Sequence, residues 1–160
     1  MKAAVLTVST SKAAGEGADE SGARLAAVAE KVGLDIVARE VLPDDRAAIA
    51  DRLRAWADED GCALVLTTGG TGFAPTDVTP EATRDVIERE APGLAEALRL
   101  ASREHTRHWM LSRGVAGIRG QTLIVNFPGS PRSIGEAADA IAASLPHALE
   151  LLAGERSPHG

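Results

Sequence analysis

Three short runs of almost unbroken apolar residues, AAVLTV (3–8), CALVLT (62–67) and TLIVNF (122–127), constrain this chain more than any other feature. A strand with one wet face alternates apolar and polar residues. A strand without that alternation needs cover on both faces, as parallel strands have between two helical layers. A fourth strand candidate, LDIVAREV (34–41), is less uniformly apolar.

Helical patterns separate these runs. Leu25, Val28, Ala29 and Val32 repeat at helical spacing, and Gly33 stands where a helix would end. Ile49, Leu53 and Trp56 form a second stripe, which stops before Gly61. Thr79-Pro80-Glu81 reads as a cap followed by proline at the first helical position. Ile134, Ala137, Ala138, Ile141 and Leu145 line a further helix, with a continuation past Pro146 through Leu149 and Leu152. Leu94 to Arg103 suits a helix, and His108 to Gly120 is either a short strand or a hairpin arm with Gln121 onward. The alternation predicts an α/β fold with a mostly parallel sheet, one domain over residues 1–153 and a frayed tail over 154–160.

Composition narrows the function classes. Two Phe, two Trp and no Tyr leave a core of small and branched aliphatics and almost no stacking platform for single-stranded nucleic acid. A net charge of -6 argues against a phosphate-backbone binder, so nucleic acid is not an expected partner. MKAAVLTVS is too short an apolar run for a secretory signal, and no stretch reaches the roughly 20 apolar residues of a membrane span. A lone cysteine, Cys62, excludes an internal disulfide or a multi-cysteine metal site, and a reducing cytoplasm is the expected location.

Ligands of open α/β sheets bind outside the carboxyl ends of the strands. The loops expected there are Ser9-Thr10-Ser11, Pro43-Asp44-Asp45, Thr68-Gly69-Gly70-Thr71-Gly72 and Pro128-Gly129-Ser130-Pro131. The glycines fit two readings: a nest of backbone N–H groups for a phosphate, or a tight turn with no ligand. Neither common phosphate motif is present. No lysine follows the glycines, as a P-loop requires, and the first strand is not followed by G-x-G-x-x-G.

Asp44 and Asp77 add a second pair of alternatives. Each fits a cap or turn residue, Asp44 at the helix expected to begin at Asp45 and Asp77 just before Thr79. Beside a phosphate nest, bare carboxylates would repel the ligand unless Mg²⁺ bridged both. Two aspartates in neighbouring rim loops therefore also fit metal-assisted phosphoryl or nucleotidyl transfer.

The segment LTTGGTGFAPTDVTPEAT (66–83), with VIEREAPGLAEALR, MLSRGVAGIRGQTLIVNFPGSP and the opening VLTVSTS, resembles the MogA/MoaB family of molybdopterin-binding proteins over about residues 1–153. The resemblance implies a three-layer α/β/α sandwich and an assembly of trimers or of hexamers. Its adenylyltransferase branch implies a reaction of MgATP with molybdopterin, giving adenylylated molybdopterin and pyrophosphate. It further implies Asp44 and Asp77 as catalytic acids holding Mg²⁺, and Ser9 with Thr68, Gly69, Gly70, Thr71 and Gly72 as the lining of the substrate pocket. Ser112, Asn126, Pro128, Gly129, Ser130 and Pro131 would hold pterin or phosphate groups, and a following molybdate-inserting enzyme is an implied partner. Two positions depart from the family pattern: Thr10 stands where many relatives carry Asp or Asn, and Thr76 where many carry Arg. A carrier that binds molybdopterin without transferring adenylate is the alternative reading.

Other motifs point elsewhere less directly. Ser112 in MLSRG lacks the first glycine of a nucleophile elbow. His105 and His108, three apart, would need further ligands to hold zinc, and His147 and His159 lie far along the chain.

Overall fold

The structure, a computed structural model, describes residues 1–155. Four parallel strands form the body of one sheet: β1 (Lys2–Val8), β2 (Asp35–Leu42), β3 (Leu64–Thr68) and β6 (Thr122–Phe127). Two antiparallel strands, β4 (Arg89–Glu90) and β5 (Ala116–Arg119), extend the β6 side, giving the order β2-β1-β3-β6-β5-β4. The ambiguous 108–120 stretch resolves into a 3₁₀ turn at Trp109–Leu111 and a hairpin of β5 with β6.

The unbroken apolar runs are explained by cover on both faces. Ala3 and Val5 of β1, with Leu64, Leu66, Leu123 and Val125, pack with α2 (Glu20–Lys31), α5 (Pro92–Ser102), α6 (Pro131–Ala142) and α7 (Leu145–Leu152). The alternate residues Ala4, Leu6, Val8, Val65 and Ile124 pack on the other face with Ile49, Leu53 and Trp56 of α3 (Arg46–Asp58) and Ala82 of α4 (Thr79–Arg84). The result is an α/β/α sandwich. Trp56 is buried, with the Arg52 guanidinium 5.8 Å above its ring. β2 is an edge strand, and its burial alternates along most of its length, which accounts for its mixed composition.

Some boundaries differ from expectation. The helix after β2 begins at Arg46, with Asp45 as its cap, so Asp44 stays outside it. Thr79 is the first residue of α4 rather than its cap, and its hydroxyl bonds to Gly69 O at 2.9 Å. Of the expected tail, Gly154 and Glu155 hydrogen-bond back to Leu151 and Glu150 of α7, while residues 156–160 lie outside the described residues.

The chain leaves β1 through α2 on one face and reaches β3 through α3 on the other, so connections diverge between these neighbouring strands. That divergence is a topological switch point, where open sheets leave a crevice at the carboxyl ends.

Candidate functional site

The loops after β1 and β3 border the crevice. After β1, Ser9 caps the four-residue helix α1 (Thr10–Ala13), accepting from Lys12 N at 3.3 Å. After β3, Gly69 and Gly70 both take positive φ, +92° and +67°. Only glycine enters that region without strain, and the Val8 carbonyl occupies the space that a side chain on Gly69 would need. The turn is therefore pressed against the end of β1.

The carbonyls of this turn are held by Thr79 and Arg113. Thr79 Oγ1 donates to Gly69 O at 2.9 Å and Thr79 N to Gly70 O at 3.1 Å. Arg113 donates through its backbone N to Thr71 O and through Nε to Gly72 O, both at 2.8 Å. In a trans peptide the N–H points opposite to the preceding C=O, and the described chain has no cis bond. The amides of Gly70, Thr71, Gly72 and Phe73 thus turn away from Thr79 and Arg113. Such amides are donors for an anion.

Both aspartates lie at this turn. A methyl group on Gly70 would sit 3.3 Å from Asp44 Oδ1, and one on Gly72 would sit 3.0 Å from Asp77 Oδ2. Asp44 and Asp77 are each only partly buried, so their carboxylates are reachable from solvent. Asp77 also closes its own loop, with Asp77 N donating to Ala74 O at 2.9 Å and Ala74 N donating to Asp77 Oδ2 at 3.1 Å. Neither acid caps a helix. Thr10 Oγ1 donates to Asp44 Oδ2 at 2.7 Å and accepts from Asp44 N at 3.1 Å.

This donor set suits a hard divalent cation. Among the described residues no group of three or more His, Cys, Asp or Glu could hold a metal by itself. Two hard carboxylates beside one glycine turn would fit Mg²⁺, which takes one or two carboxylates and completes its shell with water and substrate phosphates.

The remaining candidates divide between two cavities. Ser9, Thr68, Gly69, Gly129 and Pro131 line a cleft of about 280 Å³, joined by Lys12 and Ser21. Lys12 reaches this rim from the loop after β1 and brings a cation to it, although it does not follow the glycines. At the opening of α6, Ser130 forms no side-chain cap, Pro131 has no N–H and Ser133 N donates to Ser130 O at 3.1 Å, which leaves the Arg132 N–H as the first-turn donor there. Ser112, Asn126 and Pro128 instead line a smaller cavity of about 100 Å³ with Arg99, His108 and Trp109. Ser112 is also in the wall of an adjoining cleft of about 390 Å³ that includes Arg84, Arg99 and Arg113. The Pro128–Pro131 loop stands between the two regions and is tied down at its first two carbonyls. Thr68 Oγ1 donates to Pro128 O at 2.6 Å and Ser21 Oγ to Gly129 O at 2.9 Å.

Asn126 departs from the expected ligand role. Its Nδ2 donates to Thr67 Oγ1 at 2.9 Å and Thr83 Oγ1 at 3.0 Å, and its Oδ1 accepts from Val115 N at 3.1 Å. Both amide hydrogens are spent inside the protein, so this side chain braces β3, α4 and the start of β5 rather than gripping a ligand. Thr68 is likewise fully buried, with its hydroxyl committed to Pro128.

Arg113, like Lys12, is a residue that sequence reasoning missed. Besides its bonds to the glycine turn, its Nη2 donates to Asp77 O at 2.9 Å and its Nη1 to Glu81 Oε1. That hydrogen bond holds the Glu81 carboxyl below the usual glutamate range, against partial desolvation that pushes the other way. The clue was the arginine after Ser112 in MLSRG, which has no helix partner in sequence to explain it.

A family model described as a probable molybdopterin binding domain matches residues 4–147, most of the chain. The chain belongs to this molybdopterin-binding family. A molybdopterin adenylyltransferase of Haemophilus influenzae is 36% identical over 96% of this chain and 85% of its own length. A molybdopterin adenylyltransferase of Helicobacter pylori is 43% identical over 72% of this chain. The chain spans 65% of that protein, and 20% of the Drosophila melanogaster molybdenum cofactor synthesis protein cinnamon, to which it is 47% identical. Among solved structures, the molybdopterin biosynthesis enzyme MoaB of a Thermus species superposes with a TM-score of 0.89 at 46% identity, covering 96% of both chains. A MogA structure superposes with a TM-score of 0.90 at 38% identity, covering 95% of this chain and 99% of its own. The expected fold and family are both borne out.

Proposed function

We propose that the protein transfers adenylate from ATP to the terminal phosphate of molybdopterin, giving adenylylated molybdopterin and pyrophosphate. The observation that carries this reading is the placement of Asp44 and Asp77 beside one glycine turn at the switch point of the sheet. Relatives named molybdopterin adenylyltransferase support the choice of reaction.

In this reading an oxygen of the terminal phosphate of molybdopterin attacks the α-phosphorus of ATP. A new P–O bond forms, the bond from that phosphorus to the β-bridging oxygen breaks, and pyrophosphate leaves with the electron pair. The attacking oxygen is already ionised at neutral pH, so the chain need not supply a base. Its task is positioning and neutralisation. The amides of Gly70, Thr71 and Gly72 and the first turn of α6 orient phosphate oxygens, and Lys12 offsets their charge. Asp44 and Asp77 would hold Mg²⁺, which stabilises charge on the phosphates when bound.

The two cavities suit two substrates that meet at the Pro128–Pro131 loop. The cleft beside Lys12 and Gly69 would take the phosphate chain, and the region around Ser112 the pterin portion. Exposed Leu100, Met110 and Leu111 supply apolar surface for assembly of the chain into trimers.

A second reading, a carrier that holds molybdopterin without transfer, is favoured by the family description, which names binding alone. Pyrophosphate release separates the two. Incubation with ATP, Mg²⁺ and molybdopterin should release pyrophosphate, and omission of the pterin or addition of EDTA should stop it. Binding of molybdopterin without pyrophosphate release in the complete mixture would establish the carrier.

A further inference from the structure

Asp44 lies before the Asp45 cap, outside α3, and one of its two oxygens is committed. Three hydrogen bonds join it to Thr10: Thr10 Oγ1 to Asp44 Oδ2 at 2.7 Å, Thr10 N to the same oxygen at 3.3 Å, and Asp44 N to Thr10 Oγ1 at 3.1 Å. The Thr10 hydroxyl both donates and accepts, so a side chain with donors only or acceptors only could not replace it. The other oxygen, Oδ1, is the one that lies toward Gly70. The loops carrying the pair are joined by a further bond, Ser9 N to Leu42 O at 2.9 Å.

We propose that Thr10 is a positioning residue for the transfer reaction: its hydroxyl holds Asp44 Oδ2 so that Oδ1 alone faces the glycine turn and the metal–phosphate group. The proposal rests on the reading of Asp44 given above and adds to it how the carboxylate is aimed. Without the clasp a partly buried aspartate samples several rotamers, and only some direct an oxygen at the turn. Holding it in advance removes that ordering cost from the binding of the MgATP complex. Thr10 does not touch substrate in this account, and Thr10→Ser should do the same work.

The clasp predicts a pattern that a merely structural threonine would not produce. In the full chain, Thr10→Val should raise the Mg²⁺ concentration for half-maximal pyrophosphate release about 10-fold, the scale of one lost hydrogen bond to a charged group. The KM for molybdopterin should be unchanged, and Thr10→Ser should retain the parent Mg²⁺ dependence. Calorimetric titration of MgATP in the absence of pterin should show the same order, with Thr10→Val weak and Thr10→Ser near the parent. Asp44→Asn serves as the reference, and Thr10→Val added to it should cause no further loss. Equal weakening by Thr10→Val of molybdopterin and MgATP use, or additive loss in the double variant, overturns the role of Thr10. If Asp44→Asn itself leaves MgATP binding and turnover intact, the underlying reading of Asp44 fails, and the clasp fails with it.

Discussion

Arg113 donates through Nη2 to the backbone carbonyl of Asp77 at 2.9 Å, and through Nε to Gly72 O at 2.8 Å. One guanidinium therefore spans the glycine turn and the loop of the second acid, and its remaining arm is neutralised by Glu81. Its donors sit on three separate nitrogens of one rigid plane, so it spans acceptors that the single nitrogen of an ammonium cannot all reach.

Replacing Arg113 should accordingly cost more in rate than in stability. Arg113→Ala is expected to lower pyrophosphate release about 100-fold, the scale of a misplacement of roughly 1 Å at a reacting centre. Arg113→Lys should recover less than about a tenth of the loss, because one nitrogen cannot span the acceptors that the three nitrogens of the fork reach. Steady-state rates at a temperature well below the unfolding midpoint of each variant check this.

Gly69 is predicted to tolerate no side chain. Gly69→Ala combines a φ of +92° with a clash against the Val8 carbonyl, and should destabilise the fold by about 3 kcal/mol. Gly93→Ala, at a position with open space, should change stability by no more than about 0.5 kcal/mol. Chemical denaturation of the two variants makes the comparison.

Asn126→Ala should behave as a core lesion rather than as the loss of a substrate contact. It leaves the buried hydroxyl of Thr67 and the N–H of Val115 without the Asn126 partner, while Thr83 keeps its bond to Thr79 O, and should cost about 3 kcal/mol. Asp77→Asn should reduce turnover with little change in the unfolding midpoint. Parallel thermal melts and rate measurements distinguish the two behaviours.

Acid stability should depend on three arginine-held carboxylates. Glu81, Asp85 and Asp58 are held below their usual values, chiefly by hydrogen bonds from Arg113, Arg46 and Arg119 respectively. A carboxylate with a depressed folded pKa contributes stability above its unfolded pKa and loses it as pH falls through the folded pKa. The urea midpoint should therefore hold from pH 7 down to about 5 and fall below the ordinary carboxylate range of about 4. Glu81→Gln should show a lower midpoint at pH 7 and a shallower acid fall.

How far the sequence could be read depended on which forces set each feature. The runs at 3–8, 62–67 and 122–127 became β1, β3 and β6 because cover on both faces leaves a mark in every residue of a strand. β4 left no such mark: it is only Arg89–Glu90, exposed and recruited by pairing with β5. Asp44 and Asp77 were readable as rim acids because the strand ends were readable, and the described positions beside Gly70 and Gly72 follow from the loops meeting there. Lys12, Arg113 and the Asn126 brace were not. Lys12 matters only through the cleft that α1 borders, while Arg113 reaches Glu81 across 32 residues and Asn126 reaches Thr67 across 59. Local spacing carries no trace of such contacts. Thr79 misled for a similar reason, since a threonine next to a helix start looks like a cap until the turn it actually holds is known.

The most direct test is a crystal structure of the protein with ATP and Mg²⁺. The account predicts a cation bridging phosphate oxygens to Asp44 Oδ1 and to the Asp77 carboxylate, with the chain of phosphates along the amides of Gly70 to Gly72. Nucleotide phosphates seated away from that turn, with neither carboxylate within reach of a cation, would contradict it.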